Sequence, residues 1–145
     1  SGLSLPIYGD GKNVREWLHV DDHARGINLA LLKGNPGDNY NLGSGNRITN
    51  TEMVALIINA LKVFIDGLNK DQLMESIEYV PDRPGHDFRY SMNSEKARNQ
   101  LGWKISRELD EGLLSTVEWY LNNRDWWEAI TENDYSLTRL GGMEA

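Results

Sequence analysis

Apolar positions near the start of the chain come in two short runs around a glycine turn. Leu5, Ile7 and Tyr8 precede Gly9-Asp10-Gly11, and Val14, Trp17, Leu18 and Val20 follow it. That pattern predicts a β-hairpin. The spacing then changes: Ala24, Ile27 and Leu31 recur at helical intervals, Asp21 is placed to cap this helix and Gly34 to stop it. Residues 39–42 read as a brief strand, with GSGN as its turn. Thr49 and Glu52 fit the S/T-x-x-E capping box, and Val54, Ile57, Ile58, Leu61 and Ile65 continue from it as the buried face of a long helix. After a loop, DGLNKDQLME, the run SIEYV reads as a strand, and the charged turn PDRPGHDFRY follows it. A short helix capped by Asn93 and ended by Gly102 comes next. The last helix is predicted as one piece over 109–130, with Leu109, Leu113, Val117 and Tyr120 along one side. The tail beyond Ile130 has no period and is expected to be partly disordered. The predicted order, β-β-α-β-α-β-α-α, is a mixed α/β (α+β) pattern with too few strands for a complete doubly wound sheet.

Composition narrows the class. The 145 residues fit one domain, and 39% hydrophobic with 26% charged residues is ordinary for a globular protein. No run approaches the ~18 apolar residues of a membrane helix, and the first residues lack the pattern of a signal peptide. Zero cysteines exclude disulfides and thiolate metal sites and fit a reducing compartment, so a cytoplasmic location is expected. A net charge of −7 argues against a broad nucleic-acid surface, although a few phosphates could be held locally by arginine. The opening SGLSLPIYG runs almost at once into a strand-like segment, which reads as a truncation point.

Several catalytic signatures fail on spacing. GDGKN lacks the glycine spacing and Lys-Ser/Thr of a phosphate-binding loop, and GSGNRI lacks the third glycine of a dinucleotide loop. His19, Asp21, Asp22 and His23 carry metal-ligand chemistry, but a capping aspartate among polar neighbours accounts for them better. No G-x-S-x-G elbow surrounds a serine. The arginines remain. Arg15 precedes an apolar run, and Arg83 and His86 lie on a turn stiffened by Pro84 and opened by Gly85. Two guanidinium groups from separate turns could clamp a diphosphate, as could the N-terminus of the helix opening at Thr49. Internal salt bridging to the twenty-two acidic residues is the competing reading.

The segments LPIYGDGKNVREWLHVDDHARG, YNLGSGNRITN, YVPDRPGHDFRY, LGW and TVEWYL, in this order, resemble the C-terminal portion of dTDP-glucose 4,6-dehydratases, members of the extended short-chain dehydrogenase/reductase family. The resemblance runs from Leu5 to about Ile130. It implies the substrate-binding portion of such an enzyme, without the complete Rossmann sheet, over residues 1–130, and a separate tail over 131–145. Pro6, Ile7 and Tyr8 would meet the nucleoside end, Arg15 and Arg83 the diphosphate, and Asn50 and His86 would complete a pocket for dTDP-glucose or a related nucleotide sugar. The family's NAD loop, its Tyr-x-x-x-Lys pair and its acidic catalytic residues are implied to lie upstream. On this reading the chain holds no cofactor and no catalytic residues, NAD belongs to the full-length family, and the isolated chain is inactive. Another nucleotide-sugar epimerase or decarboxylase, or a stand-alone binding or oligomerisation module, stays open. Apolar faces left uncovered by a missing sheet, with Trp119, Trp126 and Trp127, predict a homo-oligomer.

Overall fold

The computed structural model describes residues 4–133. Two strands open the chain, β1 (Leu5–Tyr8) and β2 (Val14–Glu16), followed by helix α1 (Val20–Lys33), strand β3 (Arg47–Thr49) and helix α2 (Asn50–Phe64). Helix α3 (Lys70–Glu75), strand β4 (Ile77–Val80), a π-helical turn (Ala97–Leu101) and helices α4 (Leu109–Asn122) and α5 (Arg124–Asn133) complete it. The class is the mixed α/β one that the pattern predicts. Its strands form two separate two-stranded sheets, β1 parallel to β4 and β2 antiparallel to β3.

The predicted hairpin is therefore corrected. Gly9 and Gly11 do turn the chain, with φ of 61° and 71°. However, the Gly9 amide extends the β1–β4 ladder to the Val80 carbonyl, while the carbonyls of Gly11 and Asn13 accept the first amides of α2 from Thr51 and Asn50. β2 itself pairs with β3 on one side and with residues 88–90 on the other, so it has no edge left for β1. The expected strand at 39–42 does not form either, because a strand exists only through pairing and the described residues offer it none. Tyr40 and Leu42 instead pack on the core, and Leu42 lies so close over Gly26 that a Cβ there would come within 2.4 Å of it.

The core centres on Trp103, Leu101, Ala97 and Ile58, each at most 2% exposed, with Met53 and Val117 joining α2 to α4. Trp103 donates its indole Nε1–H to the Asp22 carbonyl at 2.8 Å. Asp22 is itself fully buried, and its carboxylate accepts from the Ser106 amide and hydroxyl, the Arg107 amide and Arg25. The segment after the π-turn is thereby clamped onto α1.

Helix ends depart from expectation in detail. The capping box of α2 forms as predicted, with the Thr49 hydroxyl accepting from the Glu52 amide and the Glu52 carboxylate from the Thr49 amide. In α1 the cap is His19, whose Nδ1 accepts from the Asp21 amide, so Asp21 sits inside the first turn. Gly34 stops α1 as expected, its amide bonded to the Ala30 carbonyl. The loop DGLNKDQLME contains α3, capped by Asn69, whose polar single turns carry no apolar period. Asn93 accepts from the Glu95 amide and Gly102 ends the π-turn at φ 70°. The long last helix breaks at Asn123, which bonds back to the Trp119 carbonyl with both its amide and its side chain. α5 extends past Ile130 to Asn133, and the rest of the predicted tail lies outside the described residues.

One face is left uncovered. Val20, Ile27 and Leu31 on α1 are 69%, 57% and 82% exposed, and Tyr120 on α4 is 51% exposed. No helix among the described residues is long and apolar enough to cross a membrane.

Candidate functional site

The charged turn is held against β2. Val14 donates its amide to the Phe88 carbonyl and accepts from the Tyr90 amide, so residues 88–90 run alongside the strand that carries Arg15. Within the turn, the His86 amide bonds to the Arg83 carbonyl across Pro84-Gly85, and Gly85 has φ 70°. Proline at the second place and positive φ at the third make a type II turn. Gly85 is required for that backbone conformation; a Cβ there would meet nothing within 4 Å.

This arrangement gathers four predicted residues. Arg15 Nη2 donates to His86 Nε2 at 2.6 Å and to the Asp87 carbonyl at 3.0 Å, and its guanidinium lies 4.5 Å over the Tyr90 ring. The His86 ring meets Tyr8 edge-on at 6.2 Å, and Tyr8 carries the Arg83 guanidinium 5.1 Å above its own ring. Arginine ion pairs among the described residues involve Arg25, Arg47, Arg107 and Arg124, and neither Arg15 nor Arg83. The competing salt-bridge reading finds no support at these two positions.

The other predicted residues contribute differently. Pro6 is exposed on β1, whereas Ile7 is 5% exposed and its side chain belongs to the core. Asn50 opens α2 and gives its amide to the Asn13 carbonyl. The proposed anion site at this helix N-terminus is corrected. The amides of Asn50, Thr51 and Glu52 are already bonded to Asn13, Gly11 and Thr49, and the Glu52 carboxylate sits in the first turn, kept below the usual carboxylate range by its bonds from Thr49.

Sequence reasoning missed three supporting residues. Asp82 accepts from His86 Nδ1 at 2.6 Å, and this bond, outweighing desolvation, lowers its carboxyl below the ordinary value. Asn13, 4% exposed, places its amide 3.3 Å from His86 Nδ1 and 3.4 Å from the Asp87 carbonyl. Tyr90 donates to Asp87 at 2.5 Å, which raises its phenol pKa. The four-residue spacing of Asp82 and His86 across Pro-Gly was the legible signal for the first.

Neither glycine loop suits a dinucleotide. The Gly43 amide is taken by Ser94 and the Gly45 amide by Glu16, and a Cβ on Gly43 would come within 2.3 Å of the Glu16 carboxylate. These residues do not fit NAD. Tyr8 and Lys12 stand at Tyr-x-x-x-Lys spacing within this chain. They lie across the two-glycine turn instead of on a helix face, and Lys12 is a 71% exposed side chain paired with Asp10. His19, Asp22 and His23 do not converge, and no metal-binding group occurs among the described residues. A separate cleft of about 800 Å³, lined by Trp17, His19, Met53, Leu113, Trp119 and Trp126 among others, contains none of the residues expected to bind the nucleotide sugar.

Comparison with known proteins shows the family of the chain. A family profile described as GDP-mannose 4,6 dehydratase matches residues 2–116. The chain is 41% identical to the dTDP-glucose 4,6-dehydratase of Escherichia coli, over 99% of its own length and 40% of the relative's. Among solved structures, the dTDP-glucose 4,6-dehydratase of Streptomyces venezuelae, with NAD and TYD bound, superposes with a TM-score of 0.78 at 43% identity, covering 89% of this chain and 37% of that one. The Bacillus anthracis enzyme, in complex with NAD, gives 0.76 at 45% identity, covering 89% and 38%. The chain thus spans about two fifths of the length of the relatives it matches. It belongs to the GDP-mannose 4,6-dehydratase family and corresponds to a C-terminal portion of the dTDP-glucose 4,6-dehydratases.

Proposed function

We propose that the chain is the nucleotide-sugar-binding part of a dTDP-glucose 4,6-dehydratase, with residues 1–130 as the binding unit. One observation carries this reading: Arg15 and Arg83, neither of them in an ion pair among the described residues, border a common His86–Tyr8 platform. Guanidinium groups so placed suit the two phosphates of an activated sugar, because each can donate two parallel hydrogen bonds to one of them. On this reading Tyr8 and the exposed edge of Pro6 face the nucleoside, the backbone of Ile7 spaces them, and Asn50 and His86 close the pocket. The residues of this chain bind and orient. The hydride and proton steps of sugar dehydration need NAD and an acid–base pair, which these residues do not supply, so the chain alone is expected to be inactive. We also assign the chain to the cytoplasm, a reading that the cysteine-free sequence supports.

Calorimetric titration of dTDP into the chain and into Arg83→Ala tests the assignment. Saturable binding weakened about tenfold or more by the substitution is expected, in line with the loss of a charge-assisted hydrogen bond. Equal affinity for the two proteins overturns it, and a preference for UDP or GDP redirects it to another nucleotide-sugar enzyme.

A further inference from the structure

The contacts of His86 determine its protonation. Arginine nitrogens only donate hydrogen bonds, so the 2.6 Å contact from Arg15 Nη2 requires a lone pair on His86 Nε2. The 2.6 Å contact to the Asp82 carboxylate requires a proton on Nδ1. Only the neutral Nδ1–H tautomer satisfies both. The imidazolium would turn an N–H toward Arg15, and the Nε2–H tautomer would do the same while setting a lone pair against Asp82. The Asn13 amide, farther away at 3.3 Å, directs its N–H to the Asp87 carbonyl. The His86 side chain is 5% exposed, so its ring is largely shielded from water, while the Asp82 carboxylate that meets it reaches the surface.

We propose that Asp82 is a positioning residue for the diphosphate site: it holds His86 in the Nδ1–H form so that the imidazole seats Arg15 without neutralising it. This rests on the function proposed above and deepens it. A carboxylate seat would cancel the charge that the ligand needs, whereas a neutral imidazole fixes the guanidinium and leaves its full charge.

One sign separates this from simple electrostatics. If Asp82 acted on the site only through its charge, removing that charge would strengthen binding of the anionic dTDP-glucose. The relay predicts the opposite: Asp82→Ala should weaken binding about tenfold at neutral pH. In a His86→Gln background, where the imidazole that Asp82 orients is gone, adding Asp82→Ala should cost nothing further. Two-bond 1H–15N spectra of the free 145-residue chain supply the independent readout, with the Nδ1–H tautomer expected in the parent and lost in a folded Asp82→Ala. A parent in the Nε2–H form, or tighter binding by Asp82→Ala, overturns the proposal. If the chain does not bind dTDP-glucose at all, the functional reading fails while the tautomer spectra still decide whether Asp82 sets the His86–Arg15 seat.

Discussion

Replacing Asp22 by Ala should be among the most damaging single changes outside the apolar core. Its carboxylate is fully buried and accepts from the Ser106 amide and hydroxyl at 3.1 and 2.5 Å, the Arg107 amide at 3.2 Å and Arg25 at 2.6 Å. Truncation leaves two backbone amides without their acceptor, at about 1–3 kcal/mol each, while Arg25, 38% exposed, can turn to solvent. The expected loss is about 3–5 kcal/mol, a large share of the ~5–15 kcal/mol that holds a domain of this size together. Asp22→Asn keeps the shape and one acceptor oxygen and should lose about 2 kcal/mol. Desolvation pushes the Asp22 pKa up, but the hydrogen bonds from Ser106, Arg107 and Arg25 together outweigh it and leave the group below its ordinary value. A depressed folded-state pKa means stability that is fully present above the unfolded value, near ~3.9, and lost as pH falls through the folded one. Urea unfolding followed by tryptophan fluorescence at neutral pH and at pH values below about 4 measures both effects. A loss under about 1 kcal/mol for Asp22→Ala, or acid sensitivity unchanged in Asp22→Asn, would refute the reasoning.

Other outcomes follow from particular contacts. Gly11→Ala should destabilise by about 2 kcal/mol or more in the same assay, since φ is 71° and a Cβ would come within 2.1 Å of the Thr51 hydroxyl oxygen. Thr49→Ala removes the hydroxyl of the α2 capping box and should cost about 1 kcal/mol. The isolated chain should self-associate through its uncovered α1 face, and Ile27→Glu with Leu31→Glu should shift light scattering toward monomer at constant circular dichroism; a parent chain that is monomeric at high concentration contradicts this. Incubation of the purified chain with dTDP-glucose and NAD should yield no 4-keto sugar by absorbance.

Much of this protein was readable along the chain because the signals concerned were local. The Thr49–Glu52 box, the stop at Gly102 and the turn at Pro84-Gly85 each depend on a few neighbouring residues whose backbone preferences survive any tertiary setting. Arg15, Arg83 and His86 were legible as charges with no local use. Pairing and burial were decided elsewhere. A strand needs a second strand, so β1 found β4 some seventy residues away while residues 39–42 stayed unpaired, and no periodicity could foresee either. An apolar stripe needs a partner surface, and the one on α1 has none among the described residues. The contacts of His86 also belong to the folded state, because only the tertiary structure brings a carboxylate four residues away and a guanidinium seventy-one residues away to the two nitrogens of one ring.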